Sequence, residues 1–214
     1  MINVNFIREV DFYAGAFPAN RGNALSSIIE FKQIEGNDEG LKGTFMLGSS
    51  DAGITFDGPI GEKSTFILSA RQSYLQLLFK SLGLPFLPTY NDFQYKQTIK
   101  VNDKNRITII GLGAIDDFTL NTSANDGLED EEVIRRNNYI LGNLPVNTQW
   151  NYAVGANWKH FGTNSFQNVV VSRNHLNNRA VKYQGNIEQP ENLILDYRSQ
   201  EIENKVRLEN TIRE

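Results

Sequence analysis

The amino-acid sequence predicts an all-β fold, an antiparallel meander that forms part of a transmembrane β-barrel. Three observations predict it. Apolar and polar residues alternate with period 2 over long stretches, helical periodicity is scarce, and short and long connections alternate along the chain. Composition agrees. The 214 residues include 13 Phe, 8 Tyr and 17 Gly, and 11% are aromatic, a bias towards residues that suit a pleated, half-buried surface.

Composition also removes function classes. With no cysteine there is no disulfide framework, thiolate metal site or Cys nucleophile. Two histidines, His160 and His175, leave little for a His-rich metal site or a Ser-His-Asp triad. They are expected near the ends of two different strands, in rim or loop roles. A net charge of −4 argues against nucleic acid as a partner. No run reaches ~18 apolar residues, so no transmembrane helix is expected; Tyr74 to Pro88, the best candidate, is cut by Lys80, Pro85 and Pro88. Met1 leads into strand-like sequence, without the basic and then apolar regions of a signal peptide. Neither absence bears on a barrel, whose strands alternate.

The strands follow in order. From Leu41 to Phe56 the apolar parity switches: Phe45 and Leu47 are odd, Ile54 and Phe56 even. The switch predicts a bulge near Gly48 to Gly53. Phe66, Leu68 and Ala70 share a face opposite Thr65, Ser69 and Arg71. Phe93, Tyr95, Ile99 and Val101 share one opposite Gln94, Lys96, Thr98 and Lys100. Ile107 to Ile115 is apolar on both faces apart from Thr108, and its Gly-Leu-Gly is too short for a dinucleotide fingerprint. In Gln149 to His160, Trp150, Tyr152, Val154, Ala156 and Trp158 lie on one face. Trp150 to Trp158 spans roughly 26 Å at about 3.3 Å per residue. A barrel's apolar band is about 25 Å tall with aromatics at both rims, which makes Trp150, Tyr152 and Trp158 the expected membrane-interface aromatics.

Connections sort by length. Gly58 to Lys63, Asn102 to Asn105 and Phe161 to Asn164 read as tight turns. Long links are expected from about Tyr74 to Asn91, Thr119 to Thr148 and Asn177 to Asp196. A meander between two aqueous compartments produces this alternation. All six prolines are expected in links, turns or the N-terminal stretch.

Residues 9–37 resemble the end of the plug domain of TonB-dependent outer-membrane receptors. The resemblance rests on Val10 to Gly15, on Phe17-Pro18-Ala19-Asn20-Arg21-Gly22, and on Leu25-Ser26-Ser27-Ile28-Ile29-Glu30-Phe31. Gly40 to Gly58, Pro59 and Phe66 to Tyr74 look like that family's first barrel hairpin. Pro88 to Phe93 and Asn102 to Arg106 fit its next strand and turn. The sequence departs from the commoner form at Arg21, where an aromatic is usual, and at Asn23-Ala24, in place of Gly-Arg.

The resemblance implies a division at residues 1–38, the C-terminal part of a plug, and 39–214, some seven strands of an incomplete barrel. Family barrels have about 22 strands around a plugged lumen, so the chain is expected to be a piece. The implied plug motif is Gly15, Phe17, Pro18, Arg21, Gly22, Leu25, Ser26 and Ser27. Arg71, Lys96 and Lys100 are the implied lumen-facing residues. The implied function is energy-coupled uptake of a bulky nutrient (a siderophore, a vitamin or a glycan) across the outer membrane of a Gram-negative bacterium. The implied partners are outer-membrane lipid, a surface lipoprotein, and the TonB complex acting through a TonB box that this chain does not contain.

No catalytic constellation is found, so no enzyme, metal or cofactor is expected. Asp116-Asp117-Phe118 reads as a strand end, and the acidic run Asp126 to Glu132 as a solvated loop that could gather cations. Two further readings stay open, a passive porin or adhesin barrel and a soluble β-sandwich binding module. Seven strands predict an open, curled sheet with two exposed edges and an apolar outer face, which aggregates in water.

Overall fold

A computed structural model describes residues 3–18, 21 and 25–213. Two antiparallel sheets account for the strands. Strands β1 (Ile7–Ala14) and β2 (Ser27–Gln33) pair into a two-stranded ribbon. The second sheet is an eight-stranded meander: β3 (Lys42–Leu47), β4 (Asp51–Pro59), β5 (Ser64–Ser73), β6 (Phe86–Asn102), β7 (Asn105–Leu120), β8 (Val146–Phe161), β9 (Ser165–Tyr183) and β10 (Leu193–Ile212). Each strand pairs only with its sequence neighbours, and β3 and β10 are the two edges. The all-β antiparallel meander is therefore as the alternation predicts.

Four expectations change. The parity switch between Leu47 and Ile54 is not a bulge. The chain reverses at Gly48 to Ser50, so that Leu47 faces Ala52 and Phe45 faces Ile54 across a hairpin. Reversal, like a bulge, carries an apolar face from odd to even numbers, and the extra hairpin raises the strand count to eight. It also puts a tight turn on the side that otherwise carries the long links. Those links are shorter than expected, because polar strand ends such as Asn177 to Tyr183 keep their ladder partners. Two links hold helices, α1 (Leu75–Ser81) and α2 (Glu131–Asn143).

Two prolines also lie within strands. Pro88 sits in β6 above the last β5 pair, Gln72 with Asn91, so no β5 partner needs its missing N–H. Pro59 is the last residue of β4.

The burial pattern is inverted relative to that of a water-soluble sheet. One face runs apolar across the strands, through in-register Phe45, Ile54, Ala70, Phe93, Gly113 and Tyr152. Its large side chains are exposed, Phe45 by 70% and Val206 by 71%. The opposite face buries polar residues, with Ser69 and Gln94 each 1% exposed and Lys96 6%. Buried polar groups and contiguous exposed apolar area both call for an explanation.

Candidate functional site: the seam between the N-terminal unit and the polar face

Along the middle of β5 and β6, the residues that alternate away from the apolar face are Ile67, Ser69, Arg71 and Ser73, and Asp92, Gln94, Lys96 and Thr98. All are buried. The N-terminal unit, made of residues 3–6, the β1–β2 ribbon and the segment that follows it, reaches Ser69, Lys96 and Thr98 of this row. Asn3 donates from Nδ2 to Ser69 Oγ at 2.9 Å. Phe6, fully buried, accepts at its carbonyl from the Ile34 N–H at 2.8 Å. The seam continues through Gly36, where a Cβ would collide with the Phe66 carbonyl oxygen. Only glycine permits that approach.

Two charged contacts sit in the seam. Arg71 and Asp92 face each other in register. Arg71 donates from Nε to Oδ1 at 3.1 Å and from Nη2 to Oδ2 at 2.8 Å. This two-pronged geometry is the strong form of the pair. Asp51 Oδ2 lies 4.0 Å from Nη1. Gly53 stands opposite, and a Cβ there would come within 2.8 Å of Arg71 Cγ, so the glycine leaves the room the arginine occupies.

Lys96 makes the second contact. Its Nζ donates to the Gln33 carbonyl at 3.2 Å, the Ile34 carbonyl at 2.8 Å and Glu35 Oε1 at 3.0 Å. Thr98 Oγ1 donates to the other Glu35 oxygen at 2.5 Å. Burial alone would raise the Glu35 carboxyl. The hydrogen bonds from Thr98 and Lys96, with the fields of Lys96 and Arg106, outweigh burial and hold it below its ordinary value.

The unit reaches the far side of the sheet as well. Arg21 Nη2 pairs with Glu30 of β2 at 2.8 Å, and Nη1 lies 3.6 Å from Glu209 Oε1 on edge strand β10. The N-terminal unit thus spans the polar face from β5 to β10.

The other predicted residues fall as follows. Gly15 takes φ +80° directly after β1, and its N–H donates to the Ser26 carbonyl at 3.1 Å, which closes the ribbon. Phe17 and Pro18 lie in the connection, Leu25 is exposed, and Ser27 opens β2. Gly22 lies outside the described residues. Trp150, Tyr152 and Trp158 share the apolar face, with Trp150 stacked on Tyr152 at 6.2 Å. Arg71 and Lys96 are in the seam, whereas Lys100 stands exposed beyond it on the same face.

His160 lies near the end of β8, with Nδ1 2.9 Å from Asn105 Oδ1. His175 corrects the expectation, because it stands well inside β9, edge-on to Trp150 at 4.7 Å. The acidic run is not a free loop. Asp130 caps α2 by accepting from the Glu132 and Val133 N–H groups, and Glu131 and Glu132 fill the first turn. At the other end of α2, Lys182 Nζ donates to the Leu141 carbonyl at 2.6 Å.

Neither a protein-family model nor a curated protein matches the chain.

The residues that sequence reasoning missed are the anionic partners, Asp92 and Glu35. A clue existed in their parity and sign, but pairing them needs a register that composition does not provide. Chemically the seam is a clamp. Its cations are matched to carboxylates and backbone carbonyls. Among the described residues no group of His, Asp or Glu is arranged to hold a metal ion.

Proposed function

We propose that this chain is a piece of a TonB-dependent outer-membrane receptor, whose N-terminal unit is the end of the plug and whose meander is barrel wall. The observation that carries the proposal is the inverted burial, a polar face clamped to the N-terminal unit and an apolar face left exposed. A barrel wide enough for a bulky nutrient would leak unless filled, and the seam supplies a polar contact between filling and wall. Polar contacts of this kind can be exchanged for water when the filling is pulled, whereas an apolar seam would resist. On this reading β3 and β10 each continue into further strands of the wall, because an open edge in hydrocarbon strands its N–H and C=O groups. The open side carrying the long links faces outward.

The two tryptophans make the membrane part testable, since both lie on the apolar face and they are all the tryptophan there is. The full chain is reconstituted into vesicles whose acyl chains carry bromine, and Trp emission is followed. Strong quenching is expected. Unquenched emission, or a chain that stays monodisperse in water without detergent, sinks the proposal. For the receptor part, the coding sequence on either side should contain a TonB box upstream and further alternating strands downstream.

A further inference from the structure

The apolar face carries a charge where hydrocarbon is expected. The cross-strand register from β3 to β10 defines this face between the tight turns and the row of Asp117, Thr148, Arg179 and Arg198. Within those bounds, among the described residues, it holds a single Asp, Glu, Lys or Arg, which is Arg173 of β9. Arg173 stands in register with Val154 of β8 and Asn204 of β10. Val154 lies midway between Trp150 and Trp158, so Arg173 occupies the middle of the band. An arginine turned to lipid at that depth is costly unless an anion meets it.

The protein offers Arg173 only neutral partners. Nε donates to the Tyr152 hydroxyl at 3.1 Å and Nη1 to Asn204 Oδ1 at 3.2 Å, which leaves Nη2 without a partner among the described residues. Asp196, the carboxylate that β8, β9 and β10 place on this face, is held by Arg179 and Arg198. From Arg173 towards the long links, β9 keeps polar side chains on this face, His175, Asn177 and Arg179. They form a polar column from the outer end of the wall down to the arginine.

Beside the column lies an apolar hollow of about 820 Å³, with Phe45, Ile54, Phe93, Ile115 and Trp150 among its walls. Trp150 belongs to both, since it lines the hollow and meets the His175 ring at 4.7 Å. A cation and an apolar hollow joined by one tryptophan fit a molecule with an anion at one end and hydrocarbon at the other.

We infer that this part of the wall binds an anionic phospholipid, whose phosphate meets the open edge of the Arg173 guanidinium while an acyl chain lies in the hollow. The polar column lets the headgroup descend to the arginine. A carboxylate from a neighbouring membrane protein would also neutralise Arg173, but it has no use for the hollow. The inference rests on the reading of the apolar face as membrane-facing.

The test uses the full chain carrying Trp158→Phe, so that Trp150 alone emits. It is reconstituted into phosphatidylcholine vesicles that contain a minor fraction of one brominated lipid, either phosphatidylglycerol or phosphatidylcholine. Brominated phosphatidylglycerol should quench as though enriched about five-fold around Trp150, the factor one basic residue contributes towards an anionic lipid. Brominated phosphatidylcholine should quench in proportion to its share. Arg173→Gln should equalise the two, and Arg173→Lys, which keeps the charge, should retain the preference. Arg207→Gln, on the opposite face and paired with Glu209, should leave it unchanged. Equal quenching with Arg173 in place would overturn the inference while upholding the membrane reading, and would point to a partner protein's carboxylate instead. A preference that survives Arg173→Gln, or one lost in Arg173→Lys, would overturn it too. Quenching by neither lipid would overturn the membrane reading and the inference with it.

Discussion

Lys96→Met isolates what the seam contributes. Methionine keeps most of the aliphatic stem but removes the ammonium that joins β6 to the Gln33 and Ile34 carbonyls and to Glu35. Hydrogen bonds to a charged group contribute about 1.5–3 kcal/mol, and a stranded buried acceptor costs about 1–3 kcal/mol. The Glu35 side chain is 50% exposed, so solvent screening leaves its ion pair no more than about 0.5 kcal/mol. The two carbonyls dominate, and the whole loss is about 3 kcal/mol, at the low end for breaking a buried charged contact. At 1.36 kcal/mol per decade, the undocked population rises on the order of 100-fold.

Amide hydrogen exchange of the full chain in detergent reads this directly. The Asn37 N–H donates across the seam to Asp57 Oδ2 at 3.1 Å, while the Lys100 N–H donates to the Lys63 carbonyl within the meander. Exchange at Asn37 should quicken on the order of 100-fold and exchange at Lys100 should not change. Acceleration at Asn37 below about three-fold would refute the reasoning, since the ammonium would then hold nothing that water does not replace.

Three further outcomes are expected. Arg71→Met strands the buried Asp92 carboxylate and should lower unfolding stability by about 3–5 kcal/mol, much of it regained in Arg71→Met/Asp92→Leu, as measured by denaturant titration. Because the folded Glu35 carboxyl lies below its ordinary 4.5, its contribution is present above that value and fades as pH falls through the lowered folded value. Asn37 protection, taken relative to the intrinsic exchange rate at each pH, should therefore fall on acidification over that window, and Thr98→Val should move the onset of that loss to higher pH. Gly36→Ala drives a methyl against the Phe66 carbonyl and should lower stability by about 1–3 kcal/mol, seen as a reduced melting temperature.

Much of the meander is legible in the sequence because period-2 alternation marks Phe66 to Arg71, Phe93 to Val101 and Trp150 to Trp158. Legibility fails where two backbone devices leave the same trace. A reversal at Gly48 to Ser50 and a bulge both switch parity, so one strand is expected where two exist. Strand ends such as Asn177 to Tyr183 read as links because nothing apolar marks them. Their order comes from ladder hydrogen bonds to β8 and β10, which composition does not reveal. In the seam, Arg71 and Lys96 are identifiable as isolated cations on an otherwise small polar face. Asp92 and Glu35 are not, since a partner 21 or 61 positions away is fixed only by the register.

The nearest-neighbour order of the meander bears on how the chain acquires its shape. A sheet in which each strand meets only the preceding and following strand can grow hairpin by hairpin, each closure spanning only the link between neighbours, whose entropic cost rises slowly with its length. Nothing in that growth sets how tightly the sheet curls. The long-range contacts that do are made by the N-terminal unit: Asn3 to Ser69, Lys96 to Ile34, and Arg21 to Glu209 at the opposite edge. The N-terminal unit thus behaves as a former. It reaches β10 across all the intervening strands, and its two ends set the distance between β5 and that edge. Growth of the meander is local, whereas its curvature is fixed by contacts between residues far apart in sequence.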